Sequence, residues 1–161
     1  MAGKLKITAG SVIVIILAVI AVALIGSYFT SMNRDWYDRL NVPSWDPPDW
    51  AFPIAWNTIF ALCIVSLVLV WNTRPHTERT HWAIRLFVLN GVINVLWSML
   101  FFGNRMIFPA VIDAGVLCLS VIAIMIAAWP ISRWASMLLI PYAGWTAFAT
   151  ALTWAIYRLN I

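Results

Sequence analysis

Residues 7–30 read ITAGSVIVIILAVIAVALIGSYFT, a stretch without one charged side chain. An α-helix of about 20 apolar residues crosses the ~30 Å hydrocarbon core of a bilayer. The core offers no water to free backbone N–H and C=O groups, so such a run must satisfy them internally as a helix. Strands of a membrane barrel would alternate in polarity over about 10 residues, and this run does not. Lys4 and Lys6 precede it as in a secretory leader. The apolar stretch is long and others follow, so it reads as an uncleaved first span.

Four further runs qualify, at residues 50–72, 81–102, 106–128 and 134–157. The fold class expected is all-α, an integral membrane bundle of five transmembrane helices, with residues 1–161 as one domain. Composition agrees: the chain is 63% hydrophobic and 10% charged, where soluble domains have about 45–50% apolar and about 25% charged residues. A net charge of +4 without a basic cluster gives no argument for nucleic acid. Connections after the second, third and fourth spans are short, so neighbouring helices should run antiparallel. The first connection, 31–49, is the long one.

Lys4, Lys6, Arg74, Arg79 and Arg133 fall on the amino-terminal side of the membrane, with Arg85 just inside the third span. Arg34, Arg39, Arg105 and Arg158 fall on the other. The positive-inside rule then sets the amino terminus in the cytoplasm. Asp35, Asp38, Asp46 and Asp49 all lie in the first connection. Asp49, just before Trp50, is expected to cap the second helix.

Polar groups at bilayer depth are costly and therefore informative. The third span carries Asn90, Asn94, Trp97 and Phe101 on one helical stripe, and the fifth carries Tyr142, Trp145, Ala149 and Leu152 on another. A third stripe, Thr146, Thr150, Thr153 and Tyr157, reads as hydrogen-bonding glue between helices. Asp113 is the one acidic residue clearly within a span; it reads as a helix–helix partner or as a ligand or proton group. Trp71, Trp82, Trp129 and Trp134 stand near helix ends, as interfacial anchors do. Trp56, Trp97 and Trp145 lie deeper. Aromatic faces with a few amides and hydroxyls suit a flat, mostly apolar ligand with a polar rim.

Cys63 and Cys118 sit in apolar runs without metal-ligand spacing and read as small buried hydrophobes. His76 and His81 lie in a polar connection, so a haem deep in the membrane would find no axial histidine. No metal site, catalytic triad, phosphate loop or dinucleotide fingerprint is present in the sequence.

Residues 36–56 run WYDRLNVPSWDPPDWAFPIAW. Later spans give Asn94-x-x-Trp97-x-x-x-Phe101-Phe102-Gly103, then Asp113, then Pro141-Tyr142-x-x-Trp145-x-x-Phe148-Ala149-Thr150. This pattern resembles the TspO/MBR family, the tryptophan-rich sensory and translocator proteins, from residue 30 to the end. The resemblance implies a five-helix homodimer that binds porphyrins such as protoporphyrin IX and haem-like tetrapyrroles as ligand or substrate, with no required cofactor. It implies a role in tetrapyrrole sensing, transport or regulation in a bacterial cell membrane. By position it implies a lid of Tyr37 and Pro47, and a pocket of Trp56, Phe60, Asn94, Trp97, Asp113, Trp145 and Ala149. It also implies an alternative, light-dependent breakdown of protoporphyrin IX, with Trp56 and Trp145 as the catalytic tryptophans. Two departures stand out: Leu152-Thr153 replaces the usual Leu-Asn, and Trp154 occupies the region of the tyrosine in the animal cholesterol motif. Cholesterol is therefore not assigned as a partner.

Overall fold

A computed structural model describes residues 4–5 and 7–161. Its long helices are α1 (Ala9–Met32), α3 (Ala51–Asn72), α4 (Glu78–Ser98), α5 (Ile107–Ala128) and α7 (Ile140–Leu159); α2 (Arg34–Tyr37) and α6 (Arg133–Met137) are single turns. Five helical stretches are long and apolar enough to cross a membrane, α6 and α7 together forming the fifth. The chain is an integral, multi-pass membrane protein of five spans. A two-residue antiparallel pairing, Lys4 with Arg74 and Leu5 with Thr73, joins the chain start to the end of α3.

Around the bundle the order is α3, α1, α4, α5, α7. Helices α1 and α4 approach closely through glycine: a Cβ on Gly91 would stand 3.2 Å from Val22, and one on Gly26 would stand 3.5 Å from the Ser98 hydroxyl. At the other end of α1, Asn72 of α3 accepts from the Thr8 backbone at 3.2 Å and the Ser11 hydroxyl at 2.9 Å. The outer faces carry Ile13, Leu17, Leu24, Val88, Val92, Leu119 and Ile126, all exposed. In a bilayer these apolar faces meet lipid tails at no cost.

Two spans depart from a plain helix. The end of α4 widens into a π-helical turn, Met99–Gly103, where the Asn104 N–H reaches Met99 O at 2.8 Å. Arg105 then takes a left-handed φ of 57°, uncommon for a residue with a side chain. Asn33, at the end of α1, secures this corner. Its amide donates to Phe102 O at 2.6 Å, and its side-chain oxygen accepts from Arg105 Nε at 3.0 Å. The fifth span breaks between α6 and α7, just ahead of Pro141, which has no N–H to continue a ladder. Ser66 and Ser136 tie α6 down, donating to Ala135 O at 2.7 Å and Met125 O at 2.8 Å.

Two expectations are corrected. Asp49 does not cap the second span: Trp50 is the N-cap of α3 without a side-chain hydrogen bond, and Asp49 pairs instead with Arg34. A nearby guanidinium offers the carboxylate a charged partner that the helix amides do not. The threonine stripe does not join helices. Thr146, Thr150 and Thr153 each donate to the carbonyl four residues back, at 2.9, 2.7 and 2.7 Å. Their own helix supplies the nearest acceptor, and the bond is made without a neighbour.

Candidate functional site

Helices α3 and α7 close the ring of the bundle with little backbone contact. Large aromatic side chains bridge them instead. Trp56 meets Tyr142 edge-on with centroids 6.2 Å apart, and Phe52 meets Trp145 edge-on at 5.9 Å. The space these rings hold open is a cavity of about 500 Å³, lined from α1, α3, α4, α5, α7 and the first connection. That is within the range of about 300–1,000 Å³ for small-molecule sites.

A buried polar network lies behind one wall, reaching the cavity through Asn94. The Tyr142 hydroxyl donates to Asn90 Oδ1 at 3.0 Å and accepts from Asn94 Nδ2 at 3.3 Å; Asn90 Nδ2 donates to the Ser120 hydroxyl at 2.8 Å, which donates to Leu117 O at 2.7 Å. Three helices are thereby locked at one level. The stripe of Asn90 and Asn94 and the stripe that begins at Tyr142 meet here.

The walls are aromatic. Trp56 stacks on Phe60 at 5.7 Å and 29°, and Trp97 on Phe101 at 5.3 Å and 8°. Trp145 tilts against Phe148 at 5.5 Å. Stacked pairs present broad, flat faces that disfavour no flat apolar partner. Ser27, Ser31, Pro53 and Asn57 are lining residues that remain exposed. The cavity therefore opens sideways, between the second half of α1 and the first half of α3.

The first connection closes the end. Tyr37 is buried, packed on Phe101 and Phe102 at 6.1 and 5.7 Å. Its hydroxyl lies 3.3 Å from Asp46 Oδ2. Burial first, and the Asp46 charge next, push the Tyr37 phenol well above its usual range. Burial also raises the Asp46 carboxyl, a shift the Tyr37 hydrogen bond opposes. Arg34 bridges Asp38 at 3.2 Å and also Asp49. Trp45 rests edge-on against Phe148 at 5.7 Å, and Asn41 and Asn160 exchange bonds of 3.0 and 2.8 Å.

Of the residues singled out in the sequence, Tyr37, Trp56, Phe60, Asn94, Trp97, Trp145 and Ala149 all line this one cavity. Pro47 and Asp113 do not. Pro47 falls between two tight turns, closed by Asp46 N–H to Pro43 O at 3.0 Å and Ala51 N–H to Pro48 O at 2.8 Å, and these keep it off the wall. Arg34 and Asp49 stand on the wall at that end of the cavity. On α5, Ala114 and Leu117 carry the cavity face, while Asp113 lies on the flank it shares with Ser120, one heptad on. The α1 wall, Ala23, Gly26, Ser27, Thr30 and Ser31, was missed. Its signal was available: small residues recur at helical spacing there, within an otherwise bulky aliphatic run.

Among the described residues, no group of His, Cys, Asp and Glu is placed to hold a metal.

Comparison with known proteins accords with this arrangement. A profile of the TspO/MBR family matches residues 14–158. The tryptophan-rich protein TspO of Archaeoglobus fulgidus is 36% identical over 146 residues, 90% of this chain and 94% of its own. That of Bacillus cereus is 32% identical over 84% of this chain and 88% of its own. The human translocator protein is 32% identical over 78% of this chain and 75% of its own. A profile match over nearly the whole chain, together with relatives of this identity and coverage, is decisive: the chain belongs to the TspO/MBR family.

Proposed function

We propose that this membrane protein binds porphyrins, protoporphyrin IX and haem-like tetrapyrroles, in the cavity, and acts in their sensing, transport or regulation. One observation carries the reading: Trp56, Trp97 and Trp145, from three different helices, converge on one largely apolar space. A flat macrocycle buries both faces against such rings, and the few amides and hydroxyls fix its orientation. The sideways opening lets an apolar ligand enter from the lipid phase. The same reading puts a homodimer in a bacterial cell membrane, which light scattering on the detergent-solubilised protein checks. Titration of tryptophan fluorescence with protoporphyrin IX tests the binding. Saturable quenching at a defined ratio, reduced in Trp97→Phe and Trp145→Phe, is expected; non-saturable partitioning overturns it.

A second reading, light-dependent breakdown of protoporphyrin IX, is favoured by Trp56 and Trp145 lining the same space. The porphyrin would supply the photochemistry, and the protein would hold the two indoles beside it. Absorbance followed in light and in darkness separates the two readings. Loss of the porphyrin band that needs both light and the indoles supports the enzyme. Equal bleaching in Trp56→Phe and Trp145→Phe leaves a binding protein.

A further inference from the structure

Two buried polar atoms are left over from the hydrogen bonding of the bundle. Among the described residues, the indole Nε1 of Trp97 and Oδ2 of Asp113 are buried without a hydrogen-bond partner. They are complementary: an indole N–H only donates, and a carboxyl oxygen accepts. Leaving both unmade is costly in a medium without water.

The helix register sets them opposite one another. Helices α4 and α5 run antiparallel, pinned by the 2.8 Å bond from Asn90 to Ser120. Trp97 lies seven residues beyond Asn90, and Asp113 lies seven before Ser120. Seven residues make about two turns and about 10.5 Å of rise on each helix. The two side chains therefore stand at one level, on the faces by which α4 and α5 meet. The π-helical turn begins only at Met99, so it does not disturb this register.

We infer that the Trp97 indole N–H is linked to the Asp113 carboxyl across one bound water, and that Asp113 is thereby a positioning residue for the aromatic wall. Stacking on Phe101 fixes the plane of the Trp97 ring but not which edge points inward. The link to Asp113 selects the orientation that turns the N–H toward α5 and leaves the carbon face to the cavity. Asp113, off the wall itself, then governs a surface that a ligand touches. The ligand part of this inference rests on the porphyrin reading above; the link itself does not.

The test uses the full chain in lipid nanodiscs with 15N-labelled tryptophan. The ligand-free indole spectrum is recorded first, the Trp97 signal being assigned by its loss in Trp97→Phe. A downfield, hydrogen-bonded indole proton is expected, moving upfield in Asp113→Leu and staying downfield in Asp113→Asn, whose amide oxygen still accepts. Protoporphyrin IX should then bind about tenfold more weakly to Asp113→Leu, the scale of one such bond. Asp113→Asn should stay near wild type, and the double variant with Trp97→Phe should bind no worse than Trp97→Phe alone. An unbonded, upfield Trp97 resonance in the wild type overturns the inference without any variant. So does an unchanged resonance in a folded Asp113→Leu. If the resonances behave as expected and the wild type binds no porphyrin, the link stands and the ligand reading falls.

Discussion

At the scale of single residues, the packing behind the cavity depends on buried polar groups that satisfy one another. Tyr142, Asn90, Asn94 and Ser120 form one connected set, of which Asn94 lines the cavity. Removing one member strands the others away from water, at about 1–3 kcal/mol for each group left without a partner. Asn90→Ala should therefore lower the unfolding temperature in detergent more than Asn57→Ala, whose side chain is exposed at the cavity mouth; equal effects would contradict the network. The first connection holds a second residue-scale prediction. Burial raises the Asp46 carboxyl above its ordinary value, so the folded state binds the proton more tightly than the unfolded chain does. The stability Asp46 contributes is present at acid pH and is lost as pH rises through the folded value. Asp46→Asn, still an acceptor for Tyr37, should flatten that dependence in the acid range and leave the connection at least as well protected at neutral pH. Hydrogen exchange of residues 36–50 measures it. More exchange in the variant at neutral pH would mean that the carboxylate charge itself holds the connection.

At the scale of elements, the five spans were legible because length and apolarity are enough to specify a membrane helix. Their irregularities were not. The π-helical turn at Met99–Gly103 depends on Asn33, almost seventy residues earlier, bonding the carbonyls of Phe102 and Gly103; no local pattern announces that. Asp49 next to a helix start looked like a cap, yet its partner is Arg34, placed there only by the folded connection. The threonines erred the other way, bonding within α7 where a bond between helices was expected. Most of the aromatic wall was readable from spacing and resemblance, whereas the α1 wall showed only as small residues at helical spacing, a pattern that close helix packing produces equally well. Asn33→Ala tests the corner. It removes a clamp that joins α1 to the end of α4 and holds Arg105 in its left-handed turn. A cost of about 1–3 kcal/mol is expected, with faster amide exchange confined to residues 99–106. Uniformly faster exchange across the bundle would show that the clamp supports the whole fold instead.

At the scale of the whole molecule, the charges at the two ends are unequal, and this sets a prediction about orientation. By sequence, six basic residues, Lys4, Lys6, Arg74, Arg79, Arg85 and Arg133, are assigned to the amino-terminal side of the membrane, against Arg34, Arg39, Arg105 and Arg158 on the other. Stacking fixes two of the six: Arg85 lies over Trp82 with 5.1 Å to the ring centroid, and Arg133 over Trp129 with 5.6 Å. Such pairs sit where aromatic belts and headgroups meet. The acidic residues that offset the basic charge at the other end count for little in orientation, because the rule follows Lys and Arg rather than net charge. The amino terminus should therefore face the cytoplasm, and the first connection and cavity mouth should lie toward the opposite side. Single cysteines at Thr77 and Asn104, introduced after replacing Cys63 and Cys118, report the two faces to a membrane-impermeant thiol reagent in intact cells. Asn104→Cys should label and Thr77→Cys should not; the reverse pattern would invert the molecule. The margin is narrow enough to manipulate. Replacing Lys4 and Lys6 by Gln leaves four basic residues on each side, and both positions should then label in part. If the orientation stays single, the bias comes from the four remaining arginines on that side, and the first span follows them.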